Sequence, residues 1–150
     1  MNADHIIVPC GNCGTRNRIP RARLKESPVC GRCRTPISVS AAYPGLAVDA
    51  TDRTFQQEVL QFPGSVLVFF WATWCGYCRS LMPVIGELAK KYAGRIKFVR
   101  LQTDTNQATA SRYDVLSLPT LLLFKNGRQV NRLVGALPRE QLEQQLSALL

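Results

Sequence analysis

The sequence predicts an α/β fold, a mixed central sheet flanked by helices, with a smaller cysteine-paired unit ahead of it. Three observations carry that expectation. Short apolar runs such as Val66-Leu67-Val68-Phe69-Phe70 and Thr120-Leu121-Leu122-Leu123-Phe124 alternate with longer segments whose apolar residues recur at helical spacing. All six cysteines fall in pairs with two residues between them: Cys10/Cys13, Cys30/Cys33 and Cys75/Cys78. The 150 residues, 46% hydrophobic and 19% charged, suffice for one good core plus a small appendage.

Residues 1–37 form the appendage. Cys10-Gly11-Asn12-Cys13 and Cys30-Gly31-Arg32-Cys33 are separated by sixteen residues. That spacing reads as a zinc ribbon, in which two tight knuckles complete a tetrahedron of thiolates around one structural Zn²⁺. Gly11 and Gly31 are expected to serve the knuckle turns where positive φ is needed. The apolar residues Ile7, Val8, Ile19, Leu24, Val29 and Ile37 are too few to fold the unit alone, so the metal would supply the missing free energy. Two structural disulfides are the alternative. His5, the only histidine, is expected to be a solvated terminal side chain, and its isolation argues against cysteine–histidine acyl transfer.

Residues 38–45 read as a linker and residues 46–150 as the main domain. Leu46 to Ala50 predicts a first strand. Asp52 is expected to cap a helix through about Phe62 with Phe55, Val59 and Leu60 inward, ended by Pro63-Gly64. Val66 to Ala72 is continuously apolar, as befits a central strand covered on both faces. A helix from about Cys75 to Tyr92 turns Leu81, Val84, Ile85, Leu88 and Ala89 toward the sheet, with Pro83 as a kink and Gly94 as its stop. Then come a strand over Ile96–Leu101, a short helix over Asn106–Tyr113 and a hairpin of Thr120–Phe124 and Val130–Val134 turning at Asn126-Gly127. Pro138-Arg139-Glu140 opens a last helix with Leu142, Leu146, Leu149 and Leu150 on one face.

The third cysteine pair lies where the central strand gives way to a helix. Cys75 would sit at the helix N-terminus, where unpaired N–H groups and the positive dipole end favour thiolate, making it the candidate nucleophile. Cys78, one turn inside, is the candidate resolving thiol. A static disulfide or half a metal site is the bland alternative. Trp71-Ala72-Thr73-Trp74-Cys75-Gly76-Tyr77-Cys78, with Pro83, Leu118-Pro119-Thr120, Phe124-Lys125-Asn126-Gly127 and Val134-Gly135-Ala136, resembles the thioredoxin family over residues 46–150. With the paired cysteines ahead of it, the chain resembles the bacterial zinc-ribbon thioredoxins of thioredoxin-2 type. The resemblance implies protein-disulfide reduction by thiol–disulfide exchange, with no cofactor bound for catalysis and an NADPH-dependent thioredoxin reductase restoring the dithiol. It also implies a cis Pro119, and a substrate-facing collar of Trp74, Gly76, Tyr77, Leu118, Pro119, Gly135 and Ala136. Trp71 would be core support.

Three residues depart from the family pattern. Tyr77 stands where proline is usual, freeing an N–H near sulfur and favouring a more oxidising pair. Phe69 stands where a buried aspartate is usual, either slowing resolution by removing a proton acceptor or simply packing well. Arg100 stands where lysine is usual. A weak oxidase or isomerase is therefore the rival enzyme reading.

The net charge of +9 is uneven, with a balance of +5 in residues 1–40 and +4 in the rest. A four-thiolate zinc site would lower the first figure by two, so specific nucleic-acid binding is disfavoured, though a basic binding module remains the rival of another class. No signal peptide or membrane span is expected, and the reading is a cytoplasmic monomer acting on protein disulfides.

Overall fold

The computed structural model describes residues 5–20, 23, 26–37, 45–62 and 64–150. The expected linker, apart from Gly45, and the calls on Leu24, Pro63 and the His5 side chain lie outside them.

In the cysteine-rich unit, β1 (His5–Pro9) and β2 (Arg16–Pro20) pair antiparallel, Ile7 opposite Arg18. Val8, Ile19 and Ile37 are buried with Cys10 and Cys30. Val29, one of the unit's apolar residues, is exposed: side chains alternate in extended chain, and it is the next residue, Cys30, that points inward.

The main sheet runs β3 (Val48–Ala50), β5 (Ile96–Gln102), β4 (Ser65–Trp71), β6 (Thr120–Lys125), β7 (Arg128–Val134). β3, β5 and β4 are parallel, whereas β6 and β7 add antiparallel on the other side. β4 is central, which is why its apolar run is unbroken and Val66 to Phe70 are all buried. Between the parallel neighbours β4 and β5 the chain crosses over as α1 (Gly76–Lys91), which continues through the exposed Pro83. Leu67, Phe69, Phe98, Leu121 and Leu123 pack in one buried cluster with Leu81, Ile85 and Leu88 of α1 and with Leu142 and Leu146 of α3 (Arg139–Ser147). Glu143 of α3 accepts from Lys91, from the Tyr92 hydroxyl at 2.9 Å and from Arg139 at 3.3 Å. The Lys91 contact first, then Tyr92, hold its carboxyl down at about 2.

The opposite face, Val66, Val68, Phe70, Val99, Leu122 and Phe124, is covered by Phe55, Val59 and the half-buried Tyr113. Phe55 and Tyr113 meet the Phe124 ring at 6.0 and 5.7 Å between centroids. α2 (Gln107–Arg112) leads into Tyr113.

Several expectations need correction. Residues 52–62 do not form a regular α-helix but a wide turn over Gln56–Leu60, closed by a bond from the Gln61 N–H to the Gln56 carbonyl at 2.8 Å. Asp52 does not cap it. Its carboxylate accepts from the Thr109 N–H at 2.8 Å and the Thr109 hydroxyl at 2.7 Å, serving α2, while Asn106 accepts the Asp52 N–H at 2.9 Å. The local turn is held instead by Thr54, whose hydroxyl accepts the Thr51 N–H at 2.8 Å. Leu46 and Leu150 are exposed because β3 begins only at Val48 and α3 ends before the chain terminus. Val84 is half-buried rather than facing the sheet squarely.

The β6–β7 hairpin turns on Asn126 and Gly127, with φ of 52° and 80°. A Cβ on Gly127 would lie 2.3 Å from the Leu60 carbonyl oxygen. Gly127→Ala therefore combines a left-handed backbone penalty with a clash against main chain, and a loss of about 2 kcal/mol or more is expected in urea unfolding.

Candidate functional site

β4 ends at Trp71 and α1 starts five residues later, so residues 72–75 form a shoulder at the C-terminal end of the central strand, with Thr73 and Trp74 exposed and Ala72 and Cys75 turned inward. Cys75 is the N-cap of α1, with extended backbone (φ −88°, ψ 108°). Its sulfur accepts the Cys78 N–H at 3.1 Å, as a capping side chain does. The two residues are joined as a disulfide, with Cα atoms 5.2 Å apart. Cys78 is fully buried, whereas Cys75 is 5% exposed. A sulfur at this cap feels the helix dipole and an aimed N–H, both of which favour its anion once the bond is reduced.

Around this pair, Trp74 and Tyr77 are 70% and 73% exposed. The Leu118-Pro119 bond is cis, as the resemblance implied. Leu118 is half-buried and packs against the cluster holding both cysteines. The Thr120 hydroxyl donates to the Ser117 carbonyl at 2.7 Å, and the Gly135 N–H donates to the Pro119 carbonyl at 2.9 Å, which ties the Gly135-Ala136 turn to this loop. Gly76 and Ala136 are exposed. Trp71 is half-buried, and its Nε1 has no partner among the described atoms.

Phe69 is fully buried in the same cluster as Cys78. Arg100, its neighbour across the sheet, turns outward to Asp49, with Nε and Nη2 each meeting a carboxylate oxygen at 2.8 and 2.9 Å. Its remaining Nη1 lies 3.3 Å from Met82 Sδ. Thr73 and Asp104, which the sequence did not single out, are linked by a 2.9 Å hydrogen bond from the Thr73 hydroxyl beside the pair. The partners lie 31 residues apart, too far for a local pattern to reveal.

At the other end of the chain Cys10, Cys13, Cys30 and Cys33 converge, their sulfurs all within 4.8 Å of one another. Cys10–Cys33 and Cys13–Cys30 are 3.6 and 3.7 Å apart. These are close to the ~3.8 Å edge of a tetrahedron with metal–sulfur bonds of about 2.3 Å, and far beyond a disulfide. N–H groups of Asn12 and Cys13 point at Cys10 Sγ (3.3 and 3.5 Å), and that of Arg32 at Cys30 Sγ (3.4 Å). The Thr35 hydroxyl, 3.1 Å from Cys33 Sγ, leads the contacts that lower that thiol to about 5. The donor set therefore suits a thiolate-binding divalent metal.

The two knuckles are copies of each other. Cys10 and Cys30 each receive the residue four on (Gly14, Arg34) at their carbonyl at 3.0 Å and donate to a threonine carbonyl (Thr15, Thr35) at 2.8 Å. Positive φ falls on Gly14 (76°) and Arg34 (66°), not on Gly11 and Gly31 as expected, because the chain reverses after the second cysteine of each pair.

Two family models match the chain. "Thioredoxin" matches residues 46–148, and "Thioredoxin 2, N-terminal", a zinc-ribbon model, matches residues 9–35. Among similar proteins, "Thioredoxin 1" of Nostoc sp. is 50% identical over 100 residues, covering 67% of this chain and 94% of that protein. "Thioredoxin" of Alicyclobacillus acidocaldarius is 47% identical and "Thioredoxin" of Pseudomonas aeruginosa 46% identical, with the same shares of each chain covered. A cysteine pair at the cap of the helix that follows the central strand, and these matches over its whole domain, agree: the chain belongs to the thioredoxin family, as a protein-disulfide oxidoreductase with an N-terminal zinc-ribbon segment.

Proposed function

We propose that Cys75 attacks the substrate disulfide and Cys78 resolves the intermediate. The single observation that carries this assignment is the asymmetry of the pair: one sulfur caps a helix beside an open surface, the other is buried one turn in. The Cys75 thiolate forms a bond to one substrate sulfur as the substrate S–S bond breaks and the other sulfur leaves. Cys78 then attacks Cys75, the mixed disulfide breaks and the Cys75–Cys78 bond forms. Two electrons pass to the substrate; its two sulfurs gain one proton from the Cys78 thiol and one from solvent. Trp74, Gly76, Tyr77, Leu118, Pro119, Gly135 and Ala136 form the apolar collar that receives an extended protein segment, with the backbone at Leu118 free to pair with it.

An NADPH-dependent flavoprotein reductase restores the dithiol, and the protein works as a cytoplasmic monomer. We assign residues 1–37 to a ribbon, 38–45 to a linker and 46–150 to the catalytic domain. Cys10, Cys13, Cys30 and Cys33 hold one zinc ion. The ion cross-links the knuckles and takes no part in electron transfer.

In Cys78→Ser, the mixed disulfide has no internal thiol to release it. Mass spectrometry of that variant after exposure to oxidised insulin should find substrate bound through Cys75. Adducts spread over the ribbon cysteines instead would reject the assignment.

Tyr77 supports a more oxidising variant of the same activity. As the second residue of α1 it carries an N–H with no intrahelical acceptor, available to the reduced sulfur. Tyr77→Pro removes that donor, and the potential should fall by about 20 mV, the equivalent of one hydrogen bond of about 1 kcal/mol. Equilibration against glutathione measures it.

A further inference from the structure

Next to the cysteine pair lies a groove of about 530 Å³ that shares Trp74 with the collar and otherwise extends beyond it. Three loops and α2 build it: the loop after β4 supplies Trp74, the one after β5 supplies Asp104, α2 supplies Gln107 and Ser111, and the loop after α2 supplies Asp114, Val115 and Leu116. The groove has two kinds of wall. Trp74 and Leu116 offer large apolar side chains, 70% and 93% exposed. Asp104 and Asp114 offer two carboxylates, and no lysine or arginine lines the groove among the described residues.

The Asp104 carboxylate and the Asp114 backbone are held in position. Although desolvation pushes the Asp104 carboxyl up, hydrogen bonds from the Thr73 and Gln102 side chains outweigh it and keep the group ionised. Asp114 sits in the left-handed region at φ 53°. Arg132 clamps that turn through the carbonyls of Tyr113 and Asp114 and so directs its guanidinium to main chain. The groove adjoins the reactive site, since its Trp74 directly precedes Cys75 and its Leu116 is two residues from Leu118 of the cis bond. On a chain of net charge +9, an acidic groove at this point runs against the overall field.

We propose that this groove selects, among protein disulfides, those in which an arginine or lysine next to an apolar residue flanks the attacked cysteine. Asp104 and Asp114 receive the cation, and Trp74 and Leu116 receive the apolar side chain. Long-range repulsion from the basic molecule grows with a substrate's positive charge and so disfavours basic substrates, whereas the groove acts only within contact distance, so a preference for a basic flanking residue has to come from the groove. The proposal rests on the disulfide-reductase reading and deepens it.

The test uses the full-length reduced protein and matched single-disulfide peptides whose cysteine is flanked by Arg-Leu or by Glu-Leu. Hydroxyethyl disulfide, small and uncharged, reports the pair's chemistry alone. At low salt kcat/KM should favour the Arg peptide by about tenfold, with the difference in KM, and the preference should shrink to about twofold in about 1 M salt. Asp104→Asn, which keeps an acceptor for Thr73, combined with Asp114→Asn should shrink it equally at low salt. Asp114→Gly suits the left-handed backbone and separates loss of charge from loss of fold. Equal kcat/KM for the two peptides in the wild type overturns the proposal, as does a preference that survives removal of both carboxylates. No turnover of hydroxyethyl disulfide would instead defeat the reductase reading itself.

Discussion

Cys75→Ser is expected to reduce insulin disulfides no faster than the uncatalysed background, with the fold intact. Serine can still cap α1, accepting the Cys78 N–H as sulfur does, so the helix start and the buried cluster below it keep their structure. What is lost is the only sulfur of the pair with access to solvent. Cys78 cannot substitute, because it is fully buried and one turn deeper. The four ribbon sulfurs are turned toward one another and cannot substitute either. Turbidity of reduced insulin and the unfolding midpoint, measured side by side, check both halves of the expectation. Residual turnover at a tenth of wild type or more would place the nucleophile elsewhere.

Stripping metal from the ribbon should have the other large effect, and a strictly local one. The described ribbon buries few apolar side chains, Val8, Ile19 and Ile37 among them, and short strands cannot hold two knuckles closed. Zinc binding to such units is worth about 10–16 kcal/mol at neutral pH, which makes folding and metal binding one event. A strong chelator under reducing conditions, or Cys30→Ser, should therefore abolish amide protection at residues 5–37 while protection in β4, β5 and β6 stays unchanged. Undiminished ribbon protection in metal-free, reduced protein would mean that its side chains hold it together alone.

Much of this was legible in the sequence because it is local. The spacing within each cysteine pair, the unbroken apolar run of β4 and the Asn126-Gly127 turn all depend on residues within a few positions. The misreadings share the opposite property. Asp52 has good capping chemistry, but its partners are at Ala108 and Thr109, 56 and 57 residues away. The Arg100–Asp49 pair spans 51 residues and exists because β3 and β5 are neighbours. The groove that meets Trp74, Asp104 and Leu116 joins segments distant in sequence, and only Trp74 belongs to a motif. Knuckle geometry escapes the sequence for a subtler reason: glycines at 11 and 31 suit a positive φ, but the positive φ falls after each pair, on Gly14 in one knuckle and on Arg34 in the other.

The burial of Phe69 beside the pair, and the turning of Arg100 toward the rim, reach beyond packing. Among the described residues no carboxylate is buried in the sheet interior to share protons with the dithiol. The midpoint voltage of the couple should then decline with rising pH along a curve bent only by the two sulfurs themselves. Its reducing strength would follow the acidity of the medium through those two sulfurs, with no acid at position 69 to add to it.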